Sequence, residues 1–106
     1  MPDETPAIKL DTGKASFDLL PATALAAVSK VLEFGAEKYS PWNWHKGFLW
    51  LRLWNAATRH LFAWVTGEDR DPETGLSHIA HAACCLLFLL AHEEENLGTD
   101  NRRKCD

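Results

Sequence analysis

The sequence predicts an all-α domain: a small bundle of three main helices, completed by oligomerisation. Three observations predict it. Apolar residues recur at helical spacing through three segments. The prolines, and all but one of the six glycines, fall at the starts of those segments or outside them. No run alternates with period two for long enough to make a strand.

The chain has 106 residues, which suits one domain spanning 1–106. Residues 1–19 read as an irregular arm punctuated by Pro2, Pro6 and Gly13. Pro21 then stands where a first helical turn tolerates proline. From there to about Tyr39, residues Ala24, Leu25, Val28, Val31, Leu32 and Gly35 recur on one face. Ser40-Pro41 stops that helix, because a residue before proline is pushed out of the α region. Residues 40–48, SPWNWHKGF, read as a loop with two tryptophans.

A second helix is expected from about Leu49 to Thr66, with Gly67 as its stop. Trp50, Leu53, Trp54, Leu61, Phe62, Trp64 and Val65 surround most of its barrel, so it must be buried nearly all round. Three helices in one small protomer cannot cover it, which implies a partner subunit. A third helix is expected from about Ser77, a good N-cap, to about Asn96, with Gly98 as the stop. The tail from 97 to 106 reads as charged and frayed.

Composition excludes several classes. Eleven Lys and Arg against fifteen Asp and Glu give a net charge of −4, which argues against a general nucleic-acid binder. It leaves room for a mononucleotide, because a metal ion and a few local cations supply positive charge. Of three cysteines two are adjacent, Cys84 and Cys85, and nothing resembles a disulfide framework. Free thiols fit a reducing cytoplasm. The start is acidic and has no apolar stretch, so no signal peptide is expected there. The longest apolar run, Ala82 to Ala91, is too short to cross a bilayer. The expected location is the cytoplasm.

Five groups of residues have chemistry to offer. Glu33 and Glu37, four apart on the first helix, can hold a divalent cation, or form a solvated face beside Lys30 and Lys38. His78 and His81, three apart on the third helix, can ligate a transition metal, or sit as polar residues in a helix interface. The acidic loop Glu68, Asp69, Asp71 and Glu73 stands just before them; Asp71-Pro72 and Gly75 read as a rigid turn that can present a ligand or a base. Arg52 and Arg59, one heptad apart and with His60 following, lie on an otherwise apolar helix and need an anionic partner: an internal carboxylate or a phosphate. Lys14 and Lys38 are further phosphate candidates. Tyr39, Trp42 and Trp44 can stack on a base whose edge Asn43 reads, or else seal the end of the core. No P-loop, GxGxxG, GxSxG or HExxH sequence is present.

Several segments together carry a resemblance: DTGKASFDLLP (11–21), FGAEKYSPWNW (34–44), RHLFAW (59–64), GEDRDPETGLSHIAHAA (67–83) and LLFLL (86–90). This set resembles the domain named dATP/dGTP diphosphohydrolase, N-terminal, found in phages and related to the all-α nucleoside triphosphate pyrophosphatases of the MazG type. The resemblance implies a helical dimer or tetramer that uses divalent metal to cleave a purine deoxynucleotide between its α and β phosphates. MazG-type enzymes carry an ExxE pair on one helix and an ExxD pair on the next. Here Glu33 and Glu37 are spaced one residue wider, and His78 and His81 stand where acids are expected. Either the metal site is rebuilt from histidines and loop acids, or the chain binds nucleotides without hydrolysing them.

The expected function is metal-dependent hydrolysis of a purine deoxynucleoside triphosphate to monophosphate and pyrophosphate, shaping the nucleotide pool during phage infection. The alternative is a sponge that sequesters a nucleotide or a cyclic nucleotide signal. The expected metal set is Glu33, Glu37, Asp71, His78 and His81, with Asp71, His78 and His81 also catalytic. Mn²⁺ or Mg²⁺ is the expected ion, with Co²⁺ or Zn²⁺ also suited. Lys14, Lys38, Tyr39, Asn43, Trp44, Arg59 and His60 are the expected nucleotide contacts. No nucleic-acid or membrane partner is expected.

Overall fold

The computed structural model describes residues 4–104. The first three residues of the arm, and Cys105 and Asp106 of the tail, lie outside the described residues. Three α-helices follow in order: α1 (Ala22–Lys38), α2 (Trp50–Val65) and α3 (His78–Glu95). Short 3₁₀ turns at Phe17–Leu19 and Asn43–Lys46 precede α1 and α2. Among the described residues there is no strand, only isolated bridges between Leu49 and Thr99 and between Arg70 and Ser77. The all-α expectation holds, and each helix lies within a residue or so of the range its periodicity and stop signals predict.

The helix ends follow local chemistry. Ser77 caps α3: its Oγ accepts the backbone N–H of Ile79 and of Ala80. Asn96 ends the helix at φ +56, a left-handed conformation that asparagine tolerates better than most residues. Pro21 stands at the entry to α1, and Tyr39 closes it just before Ser40-Pro41.

α3 is the central element and packs against both α1 and α2. Its buried apolar residues are small, Ala80, Ala82 and Cys84, and they lie on more than one side of the helix. α2 answers with Leu53 and Ala57, and α1 with Val28. Among the described residues, six buried apolar side chains make a thin core for a chain of this length.

A clasp ties the chain end to the start of α2. His92 is fully buried (0% exposed). Its Nδ1–H donates to the Phe88 carbonyl at 2.7 Å, and its Nε2 accepts the Phe48 backbone N–H at 3.1 Å. Only the neutral ring, protonated at Nδ1, satisfies both bonds. Thr99 pairs with the segment before α2: its N–H donates to Phe48 O, and its carbonyl accepts from Trp50 N–H. Asn101 Oδ1 takes the Leu51 N–H, so the returning chain satisfies helix N-terminal donors that Leu49 leaves without a side-chain cap. The close approach needs two glycines. A Cβ on Gly47 would stand 2.8 Å from the Gly98 backbone nitrogen, and one on Gly98, at φ +60, would run into the Phe48 carbonyl. Residues 97–102, which composition alone assigns to a frayed tail, are thereby tied to α2, and the tryptophan loop is fixed over the end of α3.

Candidate metal centre

The loop between α2 and α3 is held by its own hydrogen bonds. Asp71 N–H donates to the Leu76 carbonyl and Gly75 N–H to the Asp71 carbonyl. Asp71 Oδ1 accepts the Glu73 N–H at 2.8 Å, the local turn that an Asp-Pro sequence favours. Gly75 takes φ +72, open to glycine without strain. These bonds leave Asp71 Oδ2 aimed at α3, 3.7 Å from His81 Nε2. Thr74 Oγ1 lies 2.7 Å from the same nitrogen.

α2 supplies the third member. His60 stacks on His81 with centroids 4.5 Å apart and planes 9° from parallel. His60, Asp71 and His81 each bring a ligand atom within 4.8 Å of the others. Two imidazoles and one carboxylate from three elements form a donor set that leaves coordination positions open for water or substrate. This donor chemistry fits a borderline ion such as Mn²⁺, Co²⁺ or Zn²⁺ better than Mg²⁺, which prefers oxygen alone.

Burial pushes both ring pKa values down. For His60 the neighbouring His81 adds to this and Asp71 opposes it; for His81, Asp71 again opposes. Both rings therefore favour the neutral form that can ligate. A folded-state value below the unfolded one means that the unfolded chain binds more protons as pH falls. The contribution is whole above the ordinary imidazole value near 6.5 and declines as pH drops from there toward the lowered folded values. With chelator present, the melting temperature is expected to fall between pH 7 and 5, and to fall less in a His60→Gln/His81→Gln double variant. Equal declines in the two proteins would place the titrating groups elsewhere.

The centre opens into a cavity of about 880 Å³ between α1, the tryptophan loop, α2 and α3. That is ample for a nucleotide. Of the residues singled out from sequence, Glu33, Lys38, Tyr39, Asn43, Trp44, Arg59, His60, Asp71 and His81 line this one cavity. Lys14, Glu37 and His78 do not. Lys14 is on the exposed arm, and Glu37 is exposed on α1. His78 is buried behind the centre with both nitrogens engaged, Nδ1 with His60 at 2.9 Å and Nε2 with Glu68 at 2.6 Å.

Charge and aromatic surface frame the cavity mouth. Lys38 spans from α1 to the loop, donating to Glu73 at 2.9 Å. Arg59 is exposed and makes no ion pair among the described residues, so its guanidinium is available to an anion. Trp44 stacks on Phe88, with centroids 5.3 Å apart, and Trp42 leans on Trp44. Trp42 holds φ +63, a left-handed conformation that costs energy for a tryptophan. Sequence reasoning placed His60 with the nucleotide contacts, and the structure sets it among the possible ligands. Thr74 was missed altogether. A histidine on an apolar helix was the one available signal for the former; no signal marked the latter.

The chain matches the family model described as dATP/dGTP diphosphohydrolase, N-terminal, over residues 4–102. A protein of Salmonella phage PMBT28 named dATP/dGTP diphosphohydrolase is 38% identical over 96 residues. The match covers 91% of this chain and 33% of that protein, so the chain spans about a third of its relative's length. No solved structure matches the chain.

Proposed function

The chain belongs to the dATP/dGTP diphosphohydrolase, N-terminal, family, and on that premise we propose that it hydrolyses a purine deoxynucleoside triphosphate with the help of a divalent metal. The products would be the monophosphate and pyrophosphate. The observation that carries the reading is the His60–Asp71–His81 group at the wall of the one cavity that also gathers Arg59, Lys38 and Trp44.

In this reading His60, Asp71 and His81 hold the ion, whose bound state supplies Lewis acidity toward a phosphoryl oxygen and lowers the pKa of water. Arg59 and Lys38 take phosphate charge, which is most of what phosphoryl transfer asks of a protein. Lys38 would leave Glu73 for the phosphate or share itself between the two. Trp44, backed by Phe88, and Tyr39 bracket the base, with Asn43 at its edge. Thr74 orients the His81 ring through the bond to Nε2 in the free protein. The tight loop fixes Asp71 and leaves little to reorganise when substrate arrives.

The physiological extension is adjustment of a deoxynucleotide pool in a phage-infected cytoplasm, by a homo-oligomer. No helix among the described residues is long and apolar enough to cross a membrane. The test is a panel of the four deoxynucleoside triphosphates with Mn²⁺, Co²⁺, Zn²⁺ or Mg²⁺, read by product chromatography. Turnover of a purine substrate, faster with Mn²⁺ or Co²⁺ than with Mg²⁺, is the expected result. Tight nucleotide binding in chelator with no turnover under any metal would replace hydrolysis by sequestration.

A further inference from the structure

The hydrogen bonds behind the centre point to one arrangement of the ring protons when His78 is uncharged. A carboxylate only accepts, so at 2.6 Å from Glu68 Oε1 the His78 Nε2 must carry a hydrogen. In the neutral ring, His78 Nδ1 then offers a lone pair. His60 Nδ1 lies 2.9 Å from it and must donate. With its proton committed at Nδ1, His60 keeps a bare lone pair on Nε2, which has no hydrogen-bond partner among the described residues. That is the state a cation requires of a ligand.

We propose that Glu68 and His78 are positioning residues: they lock His60 in its Nδ1-protonated tautomer and present its Nε2 to a divalent cation. The inference rests on the reading of His60, Asp71 and His81 as the ion's ligands. The parts are placed for the task. Glu68 follows α2 directly, its backbone N–H bonded to the Ala63 carbonyl, so its carboxylate stands at the α2 end next to α3. His78 is the first residue of α3 and only 4% exposed, so its ring has no water to exchange partners with. Glu68 itself is half-exposed, and the chain of bonds runs from the surface inward to the cavity. Without Glu68, His78 is free to protonate Nδ1 instead. That hydrogen would donate to His60 Nδ1, move the His60 proton to Nε2 and occupy the ligand position.

The test uses the whole chain and two readouts. Long-range ¹H–¹⁵N correlation NMR, with rings assigned by single histidine substitutions, reports each tautomer directly. Wild type is expected to show His60 protonated at Nδ1 and bare at Nε2, and Glu68→Leu to show a mixture. Calorimetric titration with Co²⁺ alone, followed also by its visible spectrum, is expected to show binding roughly 10–100-fold weaker in Glu68→Leu, the usual effect of losing a ligand's outer partner. Glu68→Asp, which keeps the carboxylate, is expected to restore most of the affinity. A wild-type His60 protonated at Nε2, or Co²⁺ affinity in folded Glu68→Leu equal to wild type, would overturn the relay and leave the metal centre standing. Wild type that binds no Co²⁺ would remove the centre and the relay together.

Discussion

His81→Ala is expected to cut metal-dependent nucleotide turnover to below about one per cent of wild type, within the range that losing a group central to proton or charge handling produces. The ring touches every part of the centre: it stacks on His60, meets Thr74 Oγ1 and faces Asp71. Alanine is the best helix former, and position 81 lies in the second turn of a well-capped α3, so the helix should survive. A matched melting curve checks that. Asp71→Asn keeps the shape and removes the charge, and a loss of the same order is expected from it. If either side chain ligates, the remaining activity should need higher metal concentration and lose its preference for Mn²⁺ or Co²⁺. If His81 instead only steadies Asp71, its variant would lose rate with metal preference unchanged. Full activity in folded His81→Ala would remove the ring from the chemistry.

Periodicity and punctuation carry the fold. Ser77 as a cap, Ser40-Pro41 as a stop and Gly67 as a boundary are local chemistry, and the helices obey them. The candidate site is another matter, because it is made by contacts between elements. Spacing puts His78 and His81 on one stripe of α3, yet residues three apart diverge by about 60° around a helix. That is enough to send His81 into the cavity and His78 under α2, against His60. The partner of His81, His60, comes from the preceding helix, and no single-helix pattern announces it. Glu33 and Glu37 diverge in the same way: only the first lines the cavity. Residues 97–102 show the same limit, since Trp50 Nε1 donating to the Leu97 carbonyl and Arg102 lying over the Trp50 ring are long-range pairings that charge alone does not reveal.

Trp54→Glu is expected to dissociate or unfold the protein, and the reason lies in what the single chain leaves uncovered. α2 buries Leu53 and Ala57 against α3 but turns Trp54, Leu61, Phe62 and Val65 outward, with Trp54 53% exposed. These stand at helical spacing and form one apolar stripe. A second apolar strip, with Leu25, Leu86, Leu87 and Leu90, runs along the groove between α1 and α3. The chain exposes 8712 Å², nearly half as much again as the roughly 6,000 Å² of a compact monomer of this mass. Its radius of gyration is 18.5 Å, against about 13 Å for a compact domain of this length. Part of the surplus belongs to the arm, where Ile8, Leu10, Phe17 and Leu19 lie open. The exposed apolar residues on α2 and in the α1–α3 groove are the part that the arm does not account for. A second copy of the chain is the expected occupant, because it supplies a matching apolar face at equal concentration. Light scattering of wild type at micromolar concentration should report more than one chain, and its melting temperature should rise with concentration. A carboxylate forced into such a contact costs several kcal/mol, so Trp54→Glu should give single chains or none that fold. Phe62→Glu, on the same stripe and more exposed in the single chain, should behave alike while straining the protomer less. A wild type that is a well-folded single chain at these concentrations would sink the assembly, and the stripe on α2 would have to be covered by something other than this protein.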